Sequence, residues 1–518
     1  MASAARPASP AAGAAAPPVA DEPLLQVRNQ PLLMVGIMAA SLIQVLDTTI
    51  ANVAIPHMQS ALGANAESVT WVLTSYIIAS AVAMPATGWL GDRVGARRLF
   101  IFSVAGFIIA SMMCGMAQNL GEMVLFRAMQ GVTGAFIPPL SQSFMLDSSR
   151  PSRHPQVMAI WGLGIMIGPI LGPILGGWLT ESANWRWVFY VNLPVGILAL
   201  ALLVTQLPHR EGKRRKFDLF GFVMLAIALS SLQLLLDRGS QLDWFQSYEI
   251  WFYTFLMGSA AWIAIVHFTT AREPLFDKAI FADRNFVIAL LFMVVIGMVL
   301  FANMALLPPM LQRLFGYGVI DTGMVLMPRG VGVMLSMQLS GVLIRRGLDA
   351  RIVVATGFAI AAYSQWMMAG WSLAADEWHF IVTGLIQGLG LGLVFIPLNV
   401  TAFSTLPGHL RTDGSSLLNL LRSIGASVGI SITTVLLARN IQTAHTDLGS
   451  HVTSSTIDAI DISTVDRYQP LGQTVLSMVD LEVNRQAAMI AYIDDFYLMM
   501  WLALAAIPMV FLMRKGRT

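Results

Sequence analysis

Two ionisable side chains stand where charge is costly. Asp47 lies well inside the first long apolar run, in Leu46-Asp47-Thr48-Thr49-Ile50-Ala51-Asn52-Val53-Ala54-Ile55-Pro56. Arg127 lies inside a later run, in Leu125-Phe126-Arg127-Ala128-Met129-Gln130-Gly131. A charge at the centre of a bilayer costs about 3 kcal/mol or more unless it is paired or hydrated, or, for an acid, protonated. Asp47 can take up and release a proton. Arg127 stays charged and can only bias a proton held by another group. Asp47 reads as the only acid deep in any apolar run, and Arg127 as the only deep base in the first half of the chain. Electrostatic communication between them is expected. The alternative is that Arg127 caps backbone carbonyls or sits near the outer interface. Burial opposes the carboxylate and Arg127 favours it, so small movements could carry Asp47 through neutrality.

Three further groups of residues could support transport. Gly88-Trp89-Leu90-Gly91-Asp92-Arg93-Val94-Gly95-Ala96-Arg97-Arg98 joins the second and third runs. Its glycines permit a tight turn, and Asp92, Arg93 and Arg97 could form a latch that breaks when two bodies rock, with Gly88 and Gly95 shaping it. The fifth run places Gly164, Gly168, Gly172 and Gly176 at every fourth residue, with Pro169 and Pro173 between them. That spacing makes a smooth face for close helix packing, and the doubled Gly-Pro suggests a hinge or a sealed gate rather than packing alone. Gln44, Trp71, Tyr76, Gln142, Trp161, Gln233, Phe301, Asn399 and Asn419 could line a cavity for bulky apolar ligands. Arg329 and Arg422, in or near spans of the second half, could each hold an anionic group or a carbonyl.

The elements that must position these residues are membrane helices. The chain is 56% hydrophobic and 12% charged, against roughly a quarter charged in soluble proteins. Fourteen apolar runs are long enough to span as helices. Lys and Arg concentrate in alternate connections, notably Arg93, Arg97 and Arg98; Arg210 with Lys213 to Lys216; and Arg345, Arg346 and Arg351. By the positive-inside rule this places both termini in the cytoplasm. The expected fold is an all-α membrane protein. Residues 1–29 are read as a disordered tail, 30–206 as one six-helix bundle, 207–270 as two inserted helices, and 271–514 as a second six-helix bundle containing a long outer loop, 438–494. In that loop Val475, Leu476, Val479, Val483 and Ala487 are spaced for an amphipathic helix. It is either an outward extension of the last span or a docking surface.

The halves echo each other. Ala51-Asn52-Val53-Ala54-Ile55-Pro56 returns as Ala302-Asn303-Met304-Ala305-Leu306 with Pro308; Gly88 with Arg93 and Gly95 returns as Gly341 with Arg346 and Gly347; Gln130-Gly131 returns as Gln387-Gly388. Parallel repeats flanking a midplane site are an architecture of secondary transporters. In the second half Met298 stands opposite Asp47, and no acid stands opposite Asp92.

Several functions are excluded. There is no phosphate-cradling Gly-x-x-x-x-Gly-Lys-Ser/Thr, no His-Glu-x-x-His and no Gly-x-Ser-x-Gly. Nothing suggests an enzyme, a metal or other cofactor, or nucleic-acid binding. The single cysteine, Cys114, permits no disulfide within the chain.

These motifs together resemble the major facilitator superfamily, and within it the fourteen-helix drug:proton antiporters of the EmrB type. Leu46 to Pro56 is similar to that subfamily's first-helix signature. Gly88 to Arg98 is similar to the inner-loop motif, Arg127 to Gly131 to the proton-coupling motif, and Gly164 to Gly177 to the antiporter motif. Trp185 to Gly196 and Leu236-Asp237-Arg238-Gly239 also match. The resemblance implies a proton-coupled exporter of hydrophobic drugs in a bacterial inner membrane. It also implies partnership with a periplasmic membrane-fusion adaptor of the EmrA type and an outer-membrane channel. A dedicated metabolite exporter and a non-transporting sensor or scaffold are the alternatives. Some relatives carry acids in the thirteenth helix, where this chain has Asn419 and Arg422.

Overall fold

The computed structural model describes residues 21–65, 67–208, 216–239, 241–451 and 469–513. The basic cluster at 210–215 and the middle of the long loop, 452–468, lie outside them.

A lipid-exposed backbone must satisfy its own hydrogen bonds, so long helices dominate. In order they are α1 (Gln30–Ala61), α2 (Trp71–Ala83), α3 (Ala96–Met116), α4 (Leu120–Gly134), α5 (Ile137–Asp147), α6 (His154–Ser182), α7 (Asn192–Gln206), α8 (Leu219–Gly239), α9 (Tyr248–Thr270), α10 (Arg284–Leu314), α11 (Val319–Arg345), α12 (Ala350–Ala369), α13 (Glu377–Ser404), α14 (Arg411–His451) and α15 (Gln469–Val510). Helix starts are capped by short polar side chains at both surfaces: Asn29 accepts from Leu32 N, Asn119 from Glu122 N, and Asp283 from Asn285 N and Phe286 N.

Twelve stretches of the described residues are long and apolar enough to cross a membrane. One of them, Ser68–Met116, is two passes. Tyr76 on α2 and Phe107 on α3 both lie against Gly134, which a straight helix would forbid because they would stand about 46 Å apart at 1.5 Å per residue. The chain reverses at Gly91–Gly95, where Gly95 has φ +95°. Helices α4 and α5, broken at Ala135-Phe136, make one further pass. Fourteen passes result, as expected.

Chain ends and basic turns gather on one side. Leu25 N donates to Asp147 O at 2.8 Å, Arg411 Nη1 to Asp147 Oδ1 at 2.8 Å, and Arg351 Nη1 to Met513 O at 3.1 Å. We call this the terminal side. Residues 21–29 are not a free tail there. Asp21 accepts from Ser152 N and Oγ, and Leu24 packs at Gly408 of the other half. For these residues the expected tail is corrected to a strap across both halves, held by backbone and side-chain hydrogen bonds; residues 1–20 lie outside the described residues.

The inserted pair α8–α9 docks at a seam: Thr74 Oγ1 on α2 donates to Asp237 Oδ2 on α8 at 2.7 Å, and Ser431 Oγ on α14 to Leu236 O at 3.1 Å. Opposite the terminal side, α14 and α15 run on well past the bilayer. Each is about 60 Å long at 1.5 Å per residue, twice a hydrocarbon core of about 30 Å. Asn440 Nδ2 bonds Asp494 Oδ2 and His445 pairs with Asp480, so the extension is an antiparallel helical hairpin. Val479 and Val483 are half-buried and Ala487 buried, while Met478 and Leu481 are exposed. Most of the outer loop is therefore helix, because its apolar stripe has α14 to pack against.

Candidate proton site and gate

Asp47 sits about 25 Å along α1 from Gln30, at 1.5 Å per residue, and is fully buried. Its position on α1 is fixed by α6. The faces of Gly164, Gly168, Gly172 and Gly176 lie against Met38, Val45 with Leu46, Thr49, and Ile50 with Val53. Added methyl groups there would meet these atoms at 3 Å or less at most levels, so the glycines let the two helices touch where Asp47 is carried. Thr49 Oγ1 also reaches Gly168 O at 3.2 Å. Pro169 and Pro173 lie inside an unbroken α6, whose other face bears Gly162 against Met337 and Gly177 against Val319 of the second half.

Arg127 Nη1 stands 2.6 Å from Asp47 Oδ2, with both side chains essentially inaccessible. Asp47 Oδ1 accepts from Gln130 Nε2 at 2.8 Å and Asn192 Nδ2 at 2.9 Å. Arg127 also donates from Nη1 to Gln130 Oε1 at 2.8 Å and from Nε to Val72 O at 3.0 Å. Its guanidinium lies 4.5 Å from the centroid of Tyr76 and 5.7 Å from that of Phe189. Gln44 Nε2 donates to Tyr76 Oη at 3.2 Å. One guanidinium and two amides thus donate to the two oxygens of this carboxylate. Removing one partner would strand the other charge in a medium that cannot solvate it.

Gln130 and Asn192 were visible in the motifs but not singled out. The signal for Gln130 was its i, i+3 spacing from Arg127. Asn192 had none beyond a buried amide before Leu-Pro.

The other cavity residues form a second group. Gln142 Nε2 donates to Asn399 Oδ1 at 2.6 Å, and Gln142 Oε1 accepts from Ser415 Oγ at 2.5 Å and Asn419 Nδ2 at 3.3 Å. Ser143 pairs with Thr412 at 3.1 Å, Ser416 Oγ donates to Met84 O at 2.6 Å, and Trp161 stacks near Phe395 at 6.4 Å. With Asp147–Arg411, these contacts bolt the halves together on the terminal side. Neither Asp147 nor Arg411 was singled out from the sequence, because each sits at the end of an apolar run and reads as a topology charge. Gln233 belongs elsewhere: it bonds Asp237 at 2.8 Å and lines a small pocket with Ala81, Leu229 and Ser423. Trp71 and Phe301 are half-buried and join neither group.

In the turn, Arg93 lies 5.7 Å over Trp89, Arg97 Nη2 donates to Val204 O at 2.8 Å within its own half, and Asp92 is half-buried beside Gly91. Gly88 is buried in the segment Thr87–Leu90. In the second half, Arg329 Nη2 donates to Leu300 O at 3.1 Å and Arg422 Nη2 to Asn419 Oδ1 at 3.0 Å. Asp47 is not the only fully buried acid. Helix α15 starts well before the expected last span, and places Asp495 inside the helix, fully buried.

The sequence profile of the Major Facilitator Superfamily matches residues 37–430. The multidrug export protein EmrB of Escherichia coli K12 is 35% identical over 428 residues, 81% of this chain and 83% of that protein. The fatty acid resistance protein FarB of Neisseria gonorrhoeae is 34% identical over 91% of this chain and 94% of its own. The human organic anion transporter MFSD10 has a similar fold, with a TM-score of 0.57 at 12% identity, over 92% of this chain and 99% of that one.

Proposed function

This chain belongs to the major facilitator superfamily, as an EmrB-type multidrug efflux permease, and from that premise we propose that it exports hydrophobic drugs in exchange for protons by alternating access. The observation that carries the reading is the sealed Asp47–Arg127 pair with its two amides. In this conformation the halves are bolted on the terminal side, which we place in the cytoplasm of a bacterial cell with the chain in its inner membrane. Asp47 is ionised and locked. Loosening α4 against α1 parts the carboxylate from Arg127 and lets a proton from outside neutralise it. Reclosure then requires the proton to leave toward the cytoplasm. One charge crossing about 100 mV supplies roughly 2.3 kcal/mol. A tenfold gradient of a neutral solute costs about 1.4 kcal/mol, so one proton sustains a gradient of about fifty-fold. No cofactor beyond the proton is required.

The projecting α14–α15 hairpin supports docking to a membrane-fusion adaptor that leads to an outer-membrane channel. Export of amphipathic acids is a narrower reading. It is supported by the guanidiniums of buried Arg329 and half-buried Arg422, which form no ion pair among the described residues, and by the name of the relative FarB. A fatty-acid panel in a pump-deficient host separates it from general drug export.

The deciding experiment is proton release from purified protein on drug addition. Wild type releases protons and Asp47→Asn does not. If Asp47→Asn still releases protons and still confers resistance, the coupling assignment is wrong.

A further inference from the structure

Asp495 on α15 is, with Asp47, a fully buried acid. It stands about 22 Å from Val510 at 1.5 Å per residue, a distance from the terminal side comparable to that of Asp47. The residue is fully inaccessible, and neither carboxylate oxygen has a hydrogen-bond partner among the described residues. Its surroundings are apolar. Tyr492 and Phe496 on the same helix pack with Leu306, Met310 and Met368, and Met499, one turn on, packs with Val299 and Ala302.

The charged groups around it leave it without a counter-ion. On its own helix, Asp494 is taken by Asn440 of α14 at 3.1 Å. Helix α10 brings Arg313, which is exposed. Helix α14 brings Arg439, which is exposed, and α12 brings only Tyr363, also exposed. The Asp376–His379 pair caps the start of α13 at the surface. A lone carboxylate in such a place costs far more than a neutral acid.

An unused donor lies in the same apolar cluster as its helical neighbours Tyr492 and Phe496. Trp371 is 5% exposed and its indole Nε1–H is also unpartnered. Its ring meets that of Phe496, the residue after Asp495, at 5.5 Å and 82°. An unpartnered donor and an unpartnered acceptor thus border one apolar cluster at the far end of the second half.

We propose that Asp495 is a second proton-binding carboxyl, protonated in this conformation and ionised when Trp371 and water reach it from the side opposite the termini. What the proton does in transport rests on the proton-coupled reading above; where it binds does not.

Infrared difference spectroscopy of the purified full-length protein, titrated with pH, tests the site. The stretching band of a protonated carboxyl is expected in wild type and in Asp47→Asn, lost on raising pH, and absent in Asp495→Asn. Asp495→Leu supplies a second neutral variant if the amide does not fold. Trp371→Phe removes only the donor and is expected to shift the pH at which the band disappears. A merely structural acid would leave that pH unmoved. A titrating band unchanged in Asp495→Asn and Asp495→Leu overturns the proposal. Drug efflux driven by a pH gradient in proteoliposomes is measured in parallel. If wild type shows none, the proton-coupled function fails while the Asp495 band remains to be judged on its own.

Discussion

The two halves share a backbone plan and differ in what they do with it. Gly131 on α4 lets that helix touch Tyr76 O on α2, and Gly388 on α13 lets its helix touch Arg329 O on α11. The glycines match in the repeat, and so do the residues they touch. Around that shared contact the first half builds a paired charge site: Asp47 against Arg127, with Gln130 bonded to both. The second half has Met298 opposite Asp47 and Gly384 opposite Arg127. It keeps only the amide, and Gln387 is fully buried with neither amide atom partnered among the described residues. Its cation, Arg329, comes from the position opposite Tyr76 and is spent on a carbonyl. Duplication preserved the close-packed frame because both halves need it to hold helices together. The charge pair was kept in one half only, since each buried pair must be desolvated and exactness of partner geometry decides whether that cost is recovered.

The comparison breaks most sharply at the ion pair. Asp47→Ala or Arg127→Ala alone is expected to cost about 3–5 kcal/mol by leaving an uncompensated buried charge. The double variant is expected to recover much of that stability but no proton-coupled efflux. Thermal unfolding of the purified variants reads the first effect and liposome transport the second. If the double variant is as unstable as the two singles summed, the pair is not a unit.

The amides provide a sharper contrast of smaller size. Gln130→Met strips one donor from Asp47 and one acceptor from Arg127, and should cost about 1–3 kcal/mol. Gln387→Met removes an amide with nothing to lose and should be nearly neutral or stabilising. Equal destabilisation at the two positions would mean that Gln387 has a partner after all and that the halves are chemically alike.

The gate comes next. Arg411→Gln weakens the bond to Asp147, which is nearly buried, at a cost of about 1.5–3 kcal/mol to the conformation closed on the terminal side. A cysteine placed at Ser415 should then react faster with a thiol reagent applied from that side. An unchanged rate would move the closure to the Gln142 cluster alone.

Most of the frame was legible because membrane spans announce themselves by length and apolarity, and because the repeats pinned which loops correspond. The pairing of Asp47 with Arg127 was legible for a physical reason: few charges lie at depth, and each needs a partner. What escaped were residues at run ends. Asp147, Arg411 and Asp495 sit where a carboxylate or guanidinium is normally wet, and only the packing shows that they are covered. Asn192 escaped because a single amide carries no periodicity. The strap at 21–29 escaped because nine residues are too few to show a period of their own; its order comes from Asp147, Ser152 and Gly408, far away in sequence.

That strap provides the smallest effect and tests whether the closure on the terminal side is reinforced from outside the two halves. Hydrogen bonds from Ser152 N and Oγ hold the Asp21 carboxyl below the usual carboxylate range, with Arg150 nearby adding to the effect. A group whose folded-state value is depressed contributes above its ordinary value, about 3.9, and the contribution fades as pH falls through the folded-state value. The contact is solvent-exposed, so its loss should loosen the strap without opening the bolted helices. Amide exchange at Leu25, whose N–H bonds Asp147 O, should therefore be slow at neutral pH and speed up only below about pH 4. In Ser152→Ala, which keeps the backbone donor and removes the hydroxyl, exchange should already be faster at neutral pH, and its acid dependence should shift. If Leu25 exchanges at the same rate in both proteins across that range, the strap is held by Leu24 and Gly408 packing alone, and the seal between the halves owes nothing to Asp21.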